Sequence, residues 1–528
     1  MSLPSRFKGQ ALILALITLV VLVVGVIVLF NSGQAVSKKM QLVNTADAAA
    51  YSAAVQQARA FNLVSYMNRA TVANQVAMAQ MVSWYSWTNF AISATDHLKS
   101  AVQAVAVVLD ITVVGAEFGA VLQEVVSILS SAKSALKEGR SIENMVFDAA
   151  ATAISNLDYA YSKASRLIVS PAESADLVSM TKKIVRLNDP KAQISAMGLV
   201  SLARDANSAN GYVQHYTIPS GGTFSGADRF ANVVMEARDP FSRERNGHFG
   251  FSIGGGVLFS AGLSLDKRGG TDLVAYRNWV GTDTLNLHIW HPGCSSGWTH
   301  TPKTCNEYIP LAWGGAAAVD KTPSSFATVA RKDNGWSDPY QGNNPEYATK
   351  GNYPAYGGAL DNGESSSWAL SYPADGGTSN AWIKPYFSLG TVGLPDYDDI
   401  VKDKATVPYL NGKSAFANHV NKLDVGPMFT VLVEESMTDV RTSSNINGLG
   451  GPPDFDVQDK AIKGKITAIS TAQVYFSRSR KLFPRIFDSR RETGNLFSPY
   501  WHARLVETPC SRRLIADAAY GAVGACTP

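Results

Sequence analysis

From Ala11 to Phe30 the chain reads ALILALITLVVLVVGVIVLF, twenty residues without a charge. At a helical rise of about 1.5 Å per residue this run crosses a hydrocarbon core of about 30 Å. No other stretch of the 528 residues matches it. A cleaved secretory signal has a shorter apolar region and a small-residue cleavage site. Ser32, Gly33 and Ala35 imitate such a site, but the run before them is long. It reads as an uncleaved anchor, carried by residues such as Ala11, Leu12, Leu14, Val20, Val24 and Phe30. Everything after it then lies on one side of a membrane.

Charge does little to set the orientation. Arg6 and Lys8 precede the span, Lys38 and Lys39 follow it, and the positive-inside bias is close to a tie. The cysteines break the tie. Cys294 with Cys305 and Cys510 with Cys526 form two close pairs, which on an exported chain reads as two disulfides. The alternative pairing would cross-link distant segments. The expectation is amino-terminus in and body out, in the periplasm or at the surface of a bacterium. A net charge of +4 with 17% charged residues is too mild to suggest nucleic acid.

Three regions follow: residues 1–31 as cytoplasmic tip and transmembrane anchor, 32–210 as a helical stalk or bundle, and 211–528 as a β-rich extracytoplasmic head. The fold class expected is α+β. Gln34 to Leu98 continues the membrane helix outward. Ala101–Leu136 reads as an amphipathic helix with Asp110, Glu117 and Glu124 on one face, ended by Gly139. Further helices run from Ile142 to Leu167, then to Leu187 after Ser170-Pro171, then to about Asn207 after Asp189-Pro190. Past Ser220, Gly, Pro, Tyr and Trp rise, and eight of ten tryptophans lie beyond Tyr276. Leu285–Trp290, Phe429–Glu434 and Ile466–Phe476 read as strands. Asp361–Gly363 and Gly448–Pro453 read as turns, and Ala317–Gly377 as long ordered loops.

Three strings carry a resemblance. Lys8-Gly9-Gln10-Ala11 precedes the span, and Asn44-Thr45-Ala46-Asp47-Ala48-Ala49-Ala50-Tyr51 follows it. FNLVSYMNRATVANQVAMAQMVSW occupies Phe61–Trp84, and NLFSPYWHARLV occupies Asn495–Val506. Together they resemble the TadE/TadG-like proteins of Flp (Tad) pilus assembly. The resemblance implies a pilin-like structural component of a Tad pilus or secretion apparatus, in contact with other Tad components and oligomeric through its N-terminal helices. Gly9, Gln10, Asp47, Tyr66, Asn68 and Arg69 are assembly candidates: Asp47 reads either as a solvated helix carboxylate or as a partner for Lys38, Lys39 or Arg69 of a neighbour, and Tyr66, Asn68 and Arg69 either cap the helical layer within the chain or contact another subunit. Type IV pilins carry Glu at the fifth position after their cleavage glycine. Counted from Gly9 that position is Leu14, so the pilin charge pairing is absent. The alternative is a surface adhesin or envelope protein anchored by one helix and not part of a filament.

Other chemistry is thin. His288, His291 and His300 with Cys294 and Cys305 offer zinc-type donors, but their spacing matches no standard module, and a disulfide competes for the thiols. Asp396, Asp398 and Asp399, and Asp454, Asp456 and Asp459, lack the spacing of a calcium loop and read as solvated acidic loops. Gly254-Gly255-Gly256 lacks the strand–GxGxxG–helix context of a phosphate cradle. No GxSxG, HExxH or Walker motif is present, so neither an enzyme nor a cofactor is expected.

Overall fold

The computed structural model describes residues 10–110, 116–218, 228–245, 247–253, 261–274, 278–295, 302–319, 381–385, 392–400, 425–443, 446, 464–478 and 494–514. Gly9, Gly254–Gly256, His300, the Asp361 and Gly448 turns, the Asp454 cluster, Cys526 and all but the first three residues of the loop expected over 317–377 lie outside them. Four longer helices come first: α1 Gln10–Asp110, α2 Ala116–Ile168, α3 Pro171–Asn188 and α4 Ala196–Asn210. The long strands follow, so the molecule mixes helix and strand with a long apolar N-terminal helix.

Two compact units share these elements. The first comprises Met1–Tyr66, Ser165–Gln214 and Asp398–Pro528; the second comprises Met67–Ala164 and His215–Tyr397. In the first, an antiparallel sheet runs in the order Gln193–Ile194, Val425–Ser436, Lys465–Phe476, Trp501–Val506. The register sets Ile469 opposite Leu432 and Val474 opposite Ala503. Its core is Phe429, Val431, Val433, Val474 and Phe476 packed with α3, α4 and the alanines of α1. Ala46, Ala49, Ala50, Ala53 and Ala54 are all 0% exposed. Alanine is the best helix former and the smallest side chain with a Cβ, so it lets the helix lie close to its neighbours. Gly198 permits a similar approach at the start of α4, where a Cβ would fall 2.6 Å from the Leu432 carbonyl oxygen.

The second unit is built on a sheet ordered Gly247–Ile253, Ala261–Val274, Asn278–Ser295, Pro302–Val319, Ala381–Pro385, antiparallel except for the last pair. The Trp84–Phe90 stretch of α1 packs on it closely. A Cβ on Gly314 would lie 2.2 Å from the Phe90 nitrogen and the Ser86 oxygen. Such contact with backbone allows no side chain at all. Ser83 hydrogen-bonds Thr271 (2.7 Å), Ser86 donates to Asp283 (2.7 Å), and Asn89 donates to the Gly315 carbonyl (3.0 Å). Asp283 is fully buried between Arg245 (2.9 Å) and Lys267 (2.5 Å). Burial pushes its pKa up, but the two cations outweigh that and hold it below the usual range.

Two helix expectations are corrected. α1 runs unbroken from Gln10 past Leu98 to Asp110, where a new helix was expected from Ala101, and α2 runs through Gly139 without a break. One glycine costs a helix interior only about 1 kcal/mol, which packing along 53 residues absorbs. The Ser170-Pro171 break stands as expected, with Pro171 at the first helical position of α3. All three strand readings fall inside observed strands. The Asp396 cluster is not a solvated loop. Asp398 and Asp399 are 1% and 2% exposed. Asp398 accepts from Ser165 (2.9 Å) and Asp399 from the Leu496 amide (2.8 Å). In the other unit Asp396 accepts from the Ile218 amide (2.8 Å).

Candidate functional site

The first forty residues of α1 carry the features that bear on function. From Leu12 to Phe30 its large apolar side chains are exposed, Leu12 at 71% and Phe30 at 41%. Ile27 and Val28 are half-buried. The most apolar eighteen-residue window is 0% buried, and α1 is the one helix among the described residues long and apolar enough to cross a membrane. The single hydroxyl of the apolar run Ala11–Phe30, Thr18, donates to the Leu14 carbonyl within the helix, which leaves it no need of water.

Polar clamps begin where the apolar run stops. Asn31 is buried; its amide donates to Ser443 Oγ (3.0 Å) and its Oδ1 accepts from the Ser443 backbone (2.8 Å). Two turns on, Lys38 Nζ lies 2.8 Å from Asp189 Oδ2 and 2.8 Å from Glu435 Oε2. Burial lowers the Lys38 pKa, yet the two carboxylates outweigh it and raise it above the usual value. Burial acts first on both acids as well: Glu435 is driven up, whereas Lys38 holds Asp189 down. Lys39 donates to the Thr467 carbonyl. Both lysines offered as partners for Asp47 are thus engaged within their own unit.

Asp47 itself is half-buried on the outward side of the alanine run. Tyr66 and Arg69 are exposed, while Asn68 is 4% exposed and bonded within the fold. Gln10 starts α1. Between α1 and α3 lies a cleft of about 360 Å³, lined by Tyr51, Ser52, Val55, Gln56, Arg59, Met180 and Ile184.

The second and third strings meet in the first unit. Asn62 pairs with both backbone groups of Trp501, donating to its carbonyl (2.9 Å) and accepting from its amide (2.9 Å). Phe61 packs edge-on to the Trp501 ring, centroids 5.1 Å apart. Trp501 Nε1 donates to the Asn495 carbonyl (3.0 Å). These residues hold α1 to the end strand of the sheet, so those positions serve architecture. Asn31, Asn62 and Arg59 escaped the sequence reading. For Asn62 the signal was available in its string; for Asn31 it was the first polar residue after the span.

The histidine–cysteine segment occupies two paired strands, with His291 opposite Cys305 and Cys294 opposite Lys303. His288 sits against Trp290, rings 5.2 Å apart. Among the described residues no group of three His, Cys, Asp or Glu is arranged to hold a metal ion. Cys510 is exposed; it and the described residues 511–514 after it are helical.

Residues 9–57 match a family model described as putative Flp pilus-assembly TadE/G-like. The match covers the apolar span, Asn31, Lys38, the alanine run and Asp47. No curated protein and no solved structure matches the chain.

Proposed function

We propose that this chain, which carries a TadE/G-like Flp pilus-assembly segment, is a membrane-anchored structural component of a Tad/Flp-type pilus or secretion apparatus, acting in pilus assembly as a minor or tip subunit. One observation supports this above the others. The family segment at 9–57 takes in both the apolar, uncovered start of α1 and its continuation into the alanine run packed in the folded body. An uncovered helix of this length is unstable in water and stable in lipid. In this reading the amino-terminus stays in the cytoplasm, α1 crosses the inner membrane, and the body faces the periplasm. The Asn31 and Lys38 clamps fix the body close to the lipid surface, so a force on the body is transmitted to the span. Other Tad components are its partners, and no catalytic step is required of it.

The test is removal of the gene, followed by complementation. Pili counted by electron microscopy are expected to disappear and to return with the intact chain. Unchanged piliation in the deletion strain would sink the reading.

A further inference from the structure

Past Phe30 the outward side of α1 is still apolar. Val36, Met40, Val43 and Tyr51 are exposed. At 100° per residue they occupy one sector about 80° wide, and Asp47 falls inside it. Among the described residues Asp47 has no hydrogen-bond or ion-pair partner. The same holds for Arg59, exposed at the α1–α3 cleft beside Val55, Met180 and Ile184. Two unpaired charges of opposite sign thus stand on one helix, at positions 47 and 59, about 120° apart around its axis. Two distinct, mutually complementary patches make a heterologous contact, the kind that extends from copy to copy.

We propose that the Asp47 stripe of one copy of this chain docks in the α1–α3 cleft of a second copy. The helices run parallel and are staggered by about 18 Å, the rise of the residues between 47 and 59, so the contact belongs to copies in which the one presenting Asp47 has moved outward from the depth at which both spans lie in lipid. The stagger brings Asp47 to the second copy's Arg59. It also sets Val43 beside Val55 and Tyr51 beside Leu63, apolar against apolar. An in-register pair through the same stripe would set Asp47 against Asp47 and is repelled. The proposal rests on the assembly reading above and names its partner surface.

The experiment uses two populations of the full chain in detergent, one carrying Val43→Cys and the other Val55→Cys. They are mixed and oxidised, and the linked peptides are identified by mass spectrometry so that Cys510 does not contribute. A 43–55 link is expected, without a matching 43–43 link. Asp47→Arg in the first population is expected to lower its yield about tenfold. Adding Arg59→Asp to the second is expected to restore it, which also shows that the variants fold. A 43–43 link of equal yield, or a 43–55 link indifferent to charge reversal, overturns the proposal. Piliation lost on gene deletion with no 43–55 link overturns the stagger and leaves the pilus role intact. A charge-dependent 43–55 link in a strain whose piliation survives the deletion does the reverse.

Discussion

Asp158 departs from the ordinary behaviour of its type. It is 0% exposed, accepting from Asn74 (2.7 Å) and Gln75 (2.8 Å), while Gln75 in turn accepts from Trp279 (2.8 Å). Burial raises its pKa to about 7, against the smaller lowering effect of the two amides. The folded state therefore keeps this proton where the unfolded chain has already lost it. Stability from this group is fully present below about pH 4 and is lost as pH rises to about 7, a change of about 4 kcal/mol. Asp158→Asn is expected to flatten that slope and to raise the unfolding temperature at pH 8, read by thermal melts across pH. Ala50 makes a contrasting case. Fully buried in the alanine run, it has no room to grow, and Ala50→Leu is expected to cost about 1–3 kcal/mol in denaturant unfolding. The alanine run with Asp47 inside it was visible in the sequence, but which side of the helix packs was not. The two ion pairs of Lys38 were not legible. Its partners Asp189 and Glu435 are 151 and 397 positions away, and no local spacing records such pairs.

At the level of elements, the sequence was strongest where periodicity was long. α1, the Ser170-Pro171 break and the three strands all announced themselves through apolar pattern and breakers. The unbroken passage of α1 past Leu98 and of α2 past Gly139 did not. A glycine such as Gly139 breaks a helix only where no tertiary packing compensates, and packing is invisible in one dimension. The acidic triplet at Asp396–Asp399 failed for the same reason: its carboxylates accept from groups far along the chain, including Ser165 and Leu496. The join between α1 and the first sheet has a sharper consequence. Asn62→Ala would strip both backbone partners from Trp501 and leave a buried N–H and C=O unpaired. A loss of about 1–3 kcal/mol is expected, with faster proteolysis near Trp501. Gly314→Ala is expected to be at least as damaging, because the clash is with the α1 backbone and no rotamer relieves it. Both are checked by the denaturant midpoint of the detergent-solubilised chain.

Across the whole molecule, the same helix contributes to both compact units and presents its first twenty apolar residues uncovered. Such an arrangement has a physical rationale only if lipid or other helices cover that stretch. The charge-free run foretold this part. The interleaving of early helices with late strands depends on long-range pairing that no window of sequence contains. The central claim is that the span joins the body to an assembly and is more than an export signal. Its most direct test replaces residues 1–31 with a cleavable secretion signal and counts pili in cells exporting the unanchored body. Absence of pili despite a folded, exported body is the expected result. Normal piliation from that body would contradict the account.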